Sequence, residues 1–100
     1  LIDRGDLSKD IKIENVPIIQ RKIIYEAMKN KKNVYVATNF LESMILNSYP
    51  TRAEVNDIYN TIEMGARGLV LAAETAIGKN PIECVKILKK IIKVFRKNNA

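Results

Sequence analysis

Apolar residues fall in short clusters along the chain, and the spacing within each cluster predicts an element. Leu1-Ile2, Val34-Tyr35-Val36-Ala37 and Gly68-Leu69-Val70-Leu71-Ala72 are brief apolar runs, as expected of parallel strands covered on both faces. Between them the period lengthens. Val16, Ile19, Ile23 and Ala27 recur at three and four, one apolar stripe on a helix that begins near Glu14 or Asn15. Pro17 is tolerated in its first turn, and the polar residues 30–33 end it. Val55, Ile58 and Ile62 form a second stripe; Thr51 with Glu54 predicts a capping box, and Gly65 sits where a helix C′ cap belongs. Pro81 opens a third helix, whose stripe is Ile82, Val85, Leu88, Ile92 and Phe95. The connections read as follows: Arg4 to Ser8 as a loop, Ile11 and Ile13 as extended chain, Leu41 to Leu46 as a brief helix. One domain is expected over residues 1–97, with 98–100 as a frayed tail.

The resulting order, β-α-β-α-β-α, is that of right-handed parallel crossovers, an α/β fold. In such folds the carboxyl ends of the strands gather on one rim, where chemistry sits. Here those ends are Gly5-Asp6, Thr38-Asn39 and Glu74-Thr75: a carboxylate, a hydroxyl and a second carboxylate. Asp6 suits a hard divalent cation such as Mg²⁺, which takes oxygen ligands, and Thr38 can donate to an oxyanion. The plainer alternative is that Asp6 caps a turn and Thr38 satisfies backbone.

Composition narrows the field. A chain of 100 residues, 47% hydrophobic, is ample for one core and is not disordered. The formal charge of +6 raises nucleic acid as a partner, but no nucleic-acid signature is present. Lys86, Lys89, Lys90, Lys93, Arg96 and Lys97 read instead as the solvated side of the last helix. With no histidine, His-based triads and metal sites are excluded within the segment. The single cysteine, Cys84, has no internal disulfide partner; it reads as a buried, inert thiol, which fits a reducing compartment. No apolar run approaches the ~20 residues of a membrane span.

Five motifs then take on a common meaning. Arg4-Gly5-Asp6-Leu7, Ala37-Thr38, Leu41-Glu42-Ser43-Met44, Pro50-Thr51-Arg52-Ala53-Glu54 and Glu74-Thr75-Ala76 keep the order and spacing of pyruvate kinase. The chain resembles the last three β/α units of that family's (β/α)₈ TIM barrel, in register over roughly residues 1 to 90. A whole barrel needs about 250 residues, so the segment is incomplete on its own. The resemblance implies a cytoplasmic, homo-oligomeric glycolytic transferase that moves a phosphoryl group from phosphoenolpyruvate to ADP, giving pyruvate and ATP, with Mg²⁺. It implies no nucleic acid and no membrane as partners. Residue by residue, Asp6 would bind the metal, and the Gly5 and Asp6 amides would hold the substrate carboxylate. Thr38 would contact phosphoenolpyruvate or pyruvate and serve catalysis. Arg52 would be an interface or support residue and Glu74 a hydrogen-bonding support. The family's catalytic Lys, second metal-binding Glu, K⁺ ligands and nucleotide contacts lie outside these residues.

Departures from the family pattern fall at Asp3, Ser8, Asn39, Phe40, Ala72 and Ala73, where the family usually has Ala, Gly, Gln, Met, Ser and Gly. Asp3 adds negative charge near the expected substrate carboxylate. At a few ångströms and an effective dielectric of ~20 the repulsion reaches several kcal/mol unless the group is paired, and Arg4 stands next to it. The alternative reading is therefore a diverged homologue, or a fragment, that binds an anionic ligand or assembles with partner chains.

Overall fold

The computed structural model describes residues 1–37, 40–71 and 77–99. Its elements run β1 (Ile2–Asp3), α1 (Arg4–Asp10), α2 (Val16–Lys29), β2 (Tyr35–Ala37), α3 (Arg52–Met64), β3 (Gly68–Val70) and α4 (Pro81–Asn98). The three strands form one parallel sheet in the order β1-β2-β3. Neighbours in sequence are therefore neighbours in the sheet, the arrangement expected of consecutive β/α units.

Register explains which residues make the core. Ile2 pairs with Val36 and Val36 with Leu69, so one row crosses the sheet on one face. Ile2 and Val36 are buried, and Leu69 packs against the same cluster. Ile24 from α2, Ile58 from α3, Cys84 and Ile91 from α4, and Phe40, Leu41 and Met44 after β2 complete it. The opposite face is only partly covered: Ala37 is buried on it, while Tyr35 and Val70 remain 43% and 41% exposed. The apolar runs were expected to be covered on both faces. The described residues cover one and only part of the other, and the molecule is a slab of 37 × 36 × 20 Å rather than a closed barrel.

Helical phases differ from the sequence reading in two places. On α2 the fully inward residues are Gln20 and Ile24, while Ile23 is 39% exposed. α2 is wedged against both α1 and α3, so its inward face sits one residue further round than the purely apolar stripe. On α4 the buried positions are Cys84 and Ile91, while Ile82 is 69% exposed. Helix α3 fixes this phase, because Tyr59 meets Phe95 edge-on, with ring centroids 5.6 Å apart at 72°. Cys84 is buried and takes part in no disulfide among the described residues, as expected. The six bases Lys86 to Lys97 are exposed. Helix α4 continues through Asn98, whose side chain donates to the Val94 carbonyl, beyond the point where fraying was expected.

The expected caps on α3 are present. Thr51 Oγ1 accepts from the Glu54 amide, Glu54 Oε1 accepts from the Thr51 amide, and Gly65 ends the helix at φ 118°. A side chain at Gly65 would strain that left-handed backbone and collide with Met28 Sδ. Among the described residues no helix is long and apolar enough to cross a membrane.

Candidate functional site

The row Asp3, Ala37 and Val70 lies at the carboxyl ends of the three strands, since Asp3 pairs with Ala37 and Ala37 with Val70. With strands about 4.8 Å apart, these ends lie within roughly 10 Å of one another. Thr38 follows Ala37 in the sequence. Thr38, Asn39, Ala72, Ala73 and Glu74 lie outside the described residues, so the geometry of the rim rests on Asp3 to Asp10 and on residues 40–54.

Residues Arg4 to Ser8 were expected to be a loop; they are the body of α1. The reason is Asp3. Its carboxylate Oδ1 accepts the Gly5 amide at 3.0 Å and the Asp6 amide at 3.2 Å, satisfying two donors that a helix start leaves unpaired. Ser8 Oγ donates to the Gly5 carbonyl at 2.9 Å, and the chain leaves the helix at Ile11 in an extended conformation. Gly5 therefore serves no left-handed turn here; Gly65 alone among the glycines has positive φ. The two amides that the family resemblance reserves for a substrate carboxylate are bonded to a carboxylate of the chain itself.

Asp6 stands in the first turn of α1 with its side chain 75% exposed. Its ion pair with Lys9, at 3.5 Å between two exposed groups, is a weak contact that leaves the carboxylate lone pairs available. One such carboxylate fits a hard cation as a single ligand. Among the described residues no group of three or more Asp, Glu, Cys or His converges as a metal cage.

Arg4 turns its guanidinium to α3, where Nη1 donates to Asp57 Oδ1 at 2.7 Å. The same group lies over the Phe40 ring, 4.0 Å from its centroid. Only 13% of the Arg4 side chain is exposed, so pair and ring contact are both partly desolvated, where each is strongest. Sequence reading noted Phe40 as a departure and missed this role. The clue available was an aromatic residue leading the apolar pair Phe40-Leu41 just after a strand end.

Glu54 does more than close its capping box. Ser43 donates to it twice, through its amide to Oε2 at 2.8 Å and its hydroxyl to Oε1 at 2.5 Å. Burial pushes the Glu54 pKa up, but the bonds from Ser43 and Thr51 together outweigh it and hold the group below its usual 4.5. The helical turn Glu42–Ile45 is thereby pinned to the start of α3. Arg52, predicted as a support or interface residue, is exposed on the first turn of α3 and makes no ion pair among the described residues.

Comparison with known proteins agrees with this arrangement of strands and motifs. Residues 1–85 match the family model described as pyruvate kinase, barrel domain. Among curated relatives, the chain is 53% identical over 97 residues to a pyruvate kinase of Thermotoga maritima. It is 48% identical over 94 residues to one of Methanocaldococcus jannaschii and 42% identical over 100 residues to one of Mycobacterium tuberculosis. These alignments take in 97%, 94% and 100% of this chain and 21% of each relative. The chain thus spans about a fifth of the length of the relatives it matches.

Proposed function

The chain belongs to the pyruvate kinase family, and we propose that it forms the metal- and substrate-facing rim of a phosphotransferase barrel. In the whole protein, phosphoenolpyruvate and ADP would be converted to pyruvate and ATP, a cytoplasmic step of glycolysis. The observation that carries this reading is Asp6, an exposed carboxylate one turn beyond the aligned strand ends. Asp6 would be one ligand of Mg²⁺, which when bound neutralises charge on the transferring phosphoryl oxygens. Thr38, which follows Ala37 in the sequence, would orient the substrate and donate a hydrogen bond where negative charge develops. The pinned turn Glu42–Ile45 would hold the segment after Thr38 at a fixed distance from α3. Glu74 would support neighbours on the rim, and Arg52 would contact a second subunit of a homo-oligomer. K⁺ would bind through residues outside this chain.

The Gly5 and Asp6 amides favour a second reading. Because Asp3 already accepts from both, a substrate carboxylate must displace that side chain and tolerate its charge. Under this reading the rim keeps its cation ligand and binds phosphoenolpyruvate weakly or not at all. One set of experiments separates the two. In the full-length protein, Asp6→Ala should abolish Mg²⁺-dependent pyruvate formation, a loss of at least about a thousandfold, with an unchanged circular dichroism spectrum. Full activity in that variant would refute the assignment of Asp6. Mg²⁺ binding without phosphoenolpyruvate binding in the unmodified protein would establish the second reading.

A further inference from the structure

Helices α2, α3 and α4 all run so that their carboxyl ends meet where β2 and β3 begin, at the opposite end of the sheet from Asp6. A cavity of about 620 Å³ opens there, within the range of small-molecule sites, roughly 300–1,000 Å³. Its polar side carries Lys31, Lys32, Arg67 and Arg96, with Glu63 the one carboxylate lining it among the described residues. Met28 and Phe95 belong to its apolar wall.

Three of the bases sit on backbone that is itself held by hydrogen bonds. The Lys31 amide donates to the Met28 carbonyl at 3.0 Å, the Lys32 amide to Ala27 at 2.7 Å and the Arg67 amide to Val34 at 2.7 Å. Lys31 takes the left-handed conformation, φ 55°, uncommon for a residue with a side chain. All four side chains are exposed, and none is in an ion pair among the described residues. Helix dipoles explain part of the clustering, since a helix carboxyl end attracts cations. Three helix ends supply only about −0.5 charge each, whereas four bases against one carboxylate leave about three positive charges. An excess of cation therefore remains.

We propose that this cavity binds a small organic phosphate: a phosphate dianion held by the guanidinium forks and ammonium groups, joined to a compact apolar or aromatic body that lies against Met28 and Phe95. The site is independent of the rim chemistry, so its failure or success leaves the reading of Asp6 untouched.

The test is calorimetric titration of the full-length protein with phenyl phosphate and with inorganic phosphate, combined with acetylation footprinting of lysines. Both probes should saturate, phenyl phosphate several-fold more tightly. Arg67→Gln and Arg96→Gln should each weaken binding by about tenfold or more with no change in melting temperature, because both side chains are exposed. Phenyl phosphate should protect Lys31 and Lys32 from acetylation and leave Lys86 and Lys89 on the solvent face of α4 as reactive as before. That footprint needs no variant, so it decides the matter even if a substitution unfolds the protein. Absence of saturable binding below about 10 mM, undiminished affinity in the Arg67→Gln, Arg96→Gln double variant, or equal protection of all four lysines would each overturn the proposal.

Discussion

Helices α1 and α3 each have a carboxylate that accepts backbone amides near their start, Asp3 and Glu54, yet the two have different consequences. Asp3 caps α1 from within the same stretch, reaching only two and three residues ahead. Glu54 closes the capping box of α3 by accepting the Thr51 amide and also holds Ser43, eleven residues back. The first start is local: it forms α1 and takes up the Gly5 and Asp6 amides. The second is a tether: it fixes the turn after β2 relative to a helix and consumes nothing on the rim. A carboxylate at a helix start thus closes a site or braces one, depending on how far its partners lie in sequence.

Phe40 and Arg4 join the two starts, since Arg4 opens α1, covers the Phe40 ring and pairs with Asp57 on α3. Removing that junction should have the largest effect. Phe40→Ala is expected to cost about 3–5 kcal/mol, read from the urea unfolding midpoint, because it empties a fully buried position and strips Arg4 of its ring.

Breaking the tether comes next. Glu54→Gln should cost about 1–2 kcal/mol and raise amide exchange at Ser43 while leaving exchange within α1 unchanged. Equal loosening of both regions would show that the two starts are not separable.

Breaking the local cap should cost less, about 1 kcal/mol for Asp3→Ala. Freed of the competing carboxylate, the full-length variant should bind phosphoenolpyruvate more tightly. A weaker-binding Asp3→Ala variant would show that the carboxylate supports the site instead of occupying it.

The smallest effect is acid sensitivity. The folded-state pKa of Glu54 lies below its ordinary value, so its contribution is complete above about 4.5 and is lost as pH falls through the lower folded value. Unfolding free energy measured from pH 5 downward should therefore decline less steeply in Glu54→Gln than in the unmodified chain.

Much of the architecture was legible in the sequence because single residues decide it locally. Thr51 with Glu54 and Gly65 announced both ends of α3, and the short apolar runs announced the strands. Features governed by partners distant in sequence were not legible. No periodicity could show that α2 would turn Gln20 inward, since α1 and α3 together set its phase. Nor did the residues 4–8 look helical: a glycine and an aspartate in the first turn suggest a loop until Asp3 is recognised as their cap. Of the candidate site, the sequence offered Asp6 through its motif, and the role of that residue is a proposal. The link from Ser43 to Glu54, and the role of Phe40 beneath Arg4, needed the fold to bring separate segments together. Thr38 and Glu74, the other two rim predictions, lie outside the described residues.

The spacing of the strand pairs has a kinetic consequence. Val36 follows Ile2 by 34 positions, and Leu69 follows Val36 by 33. Closing either loop costs nearly the same chain entropy, a difference far below 0.1 kcal/mol. Neither pairing has a head start from topology, and both use Val36, which is completely buried in the finished sheet. The folding nucleus is accordingly expected to centre on β2, with its two neighbours zipping on in either order at comparable speed. A substitution at Val36 should retard folding, whereas one at the outer strands should chiefly hasten unfolding.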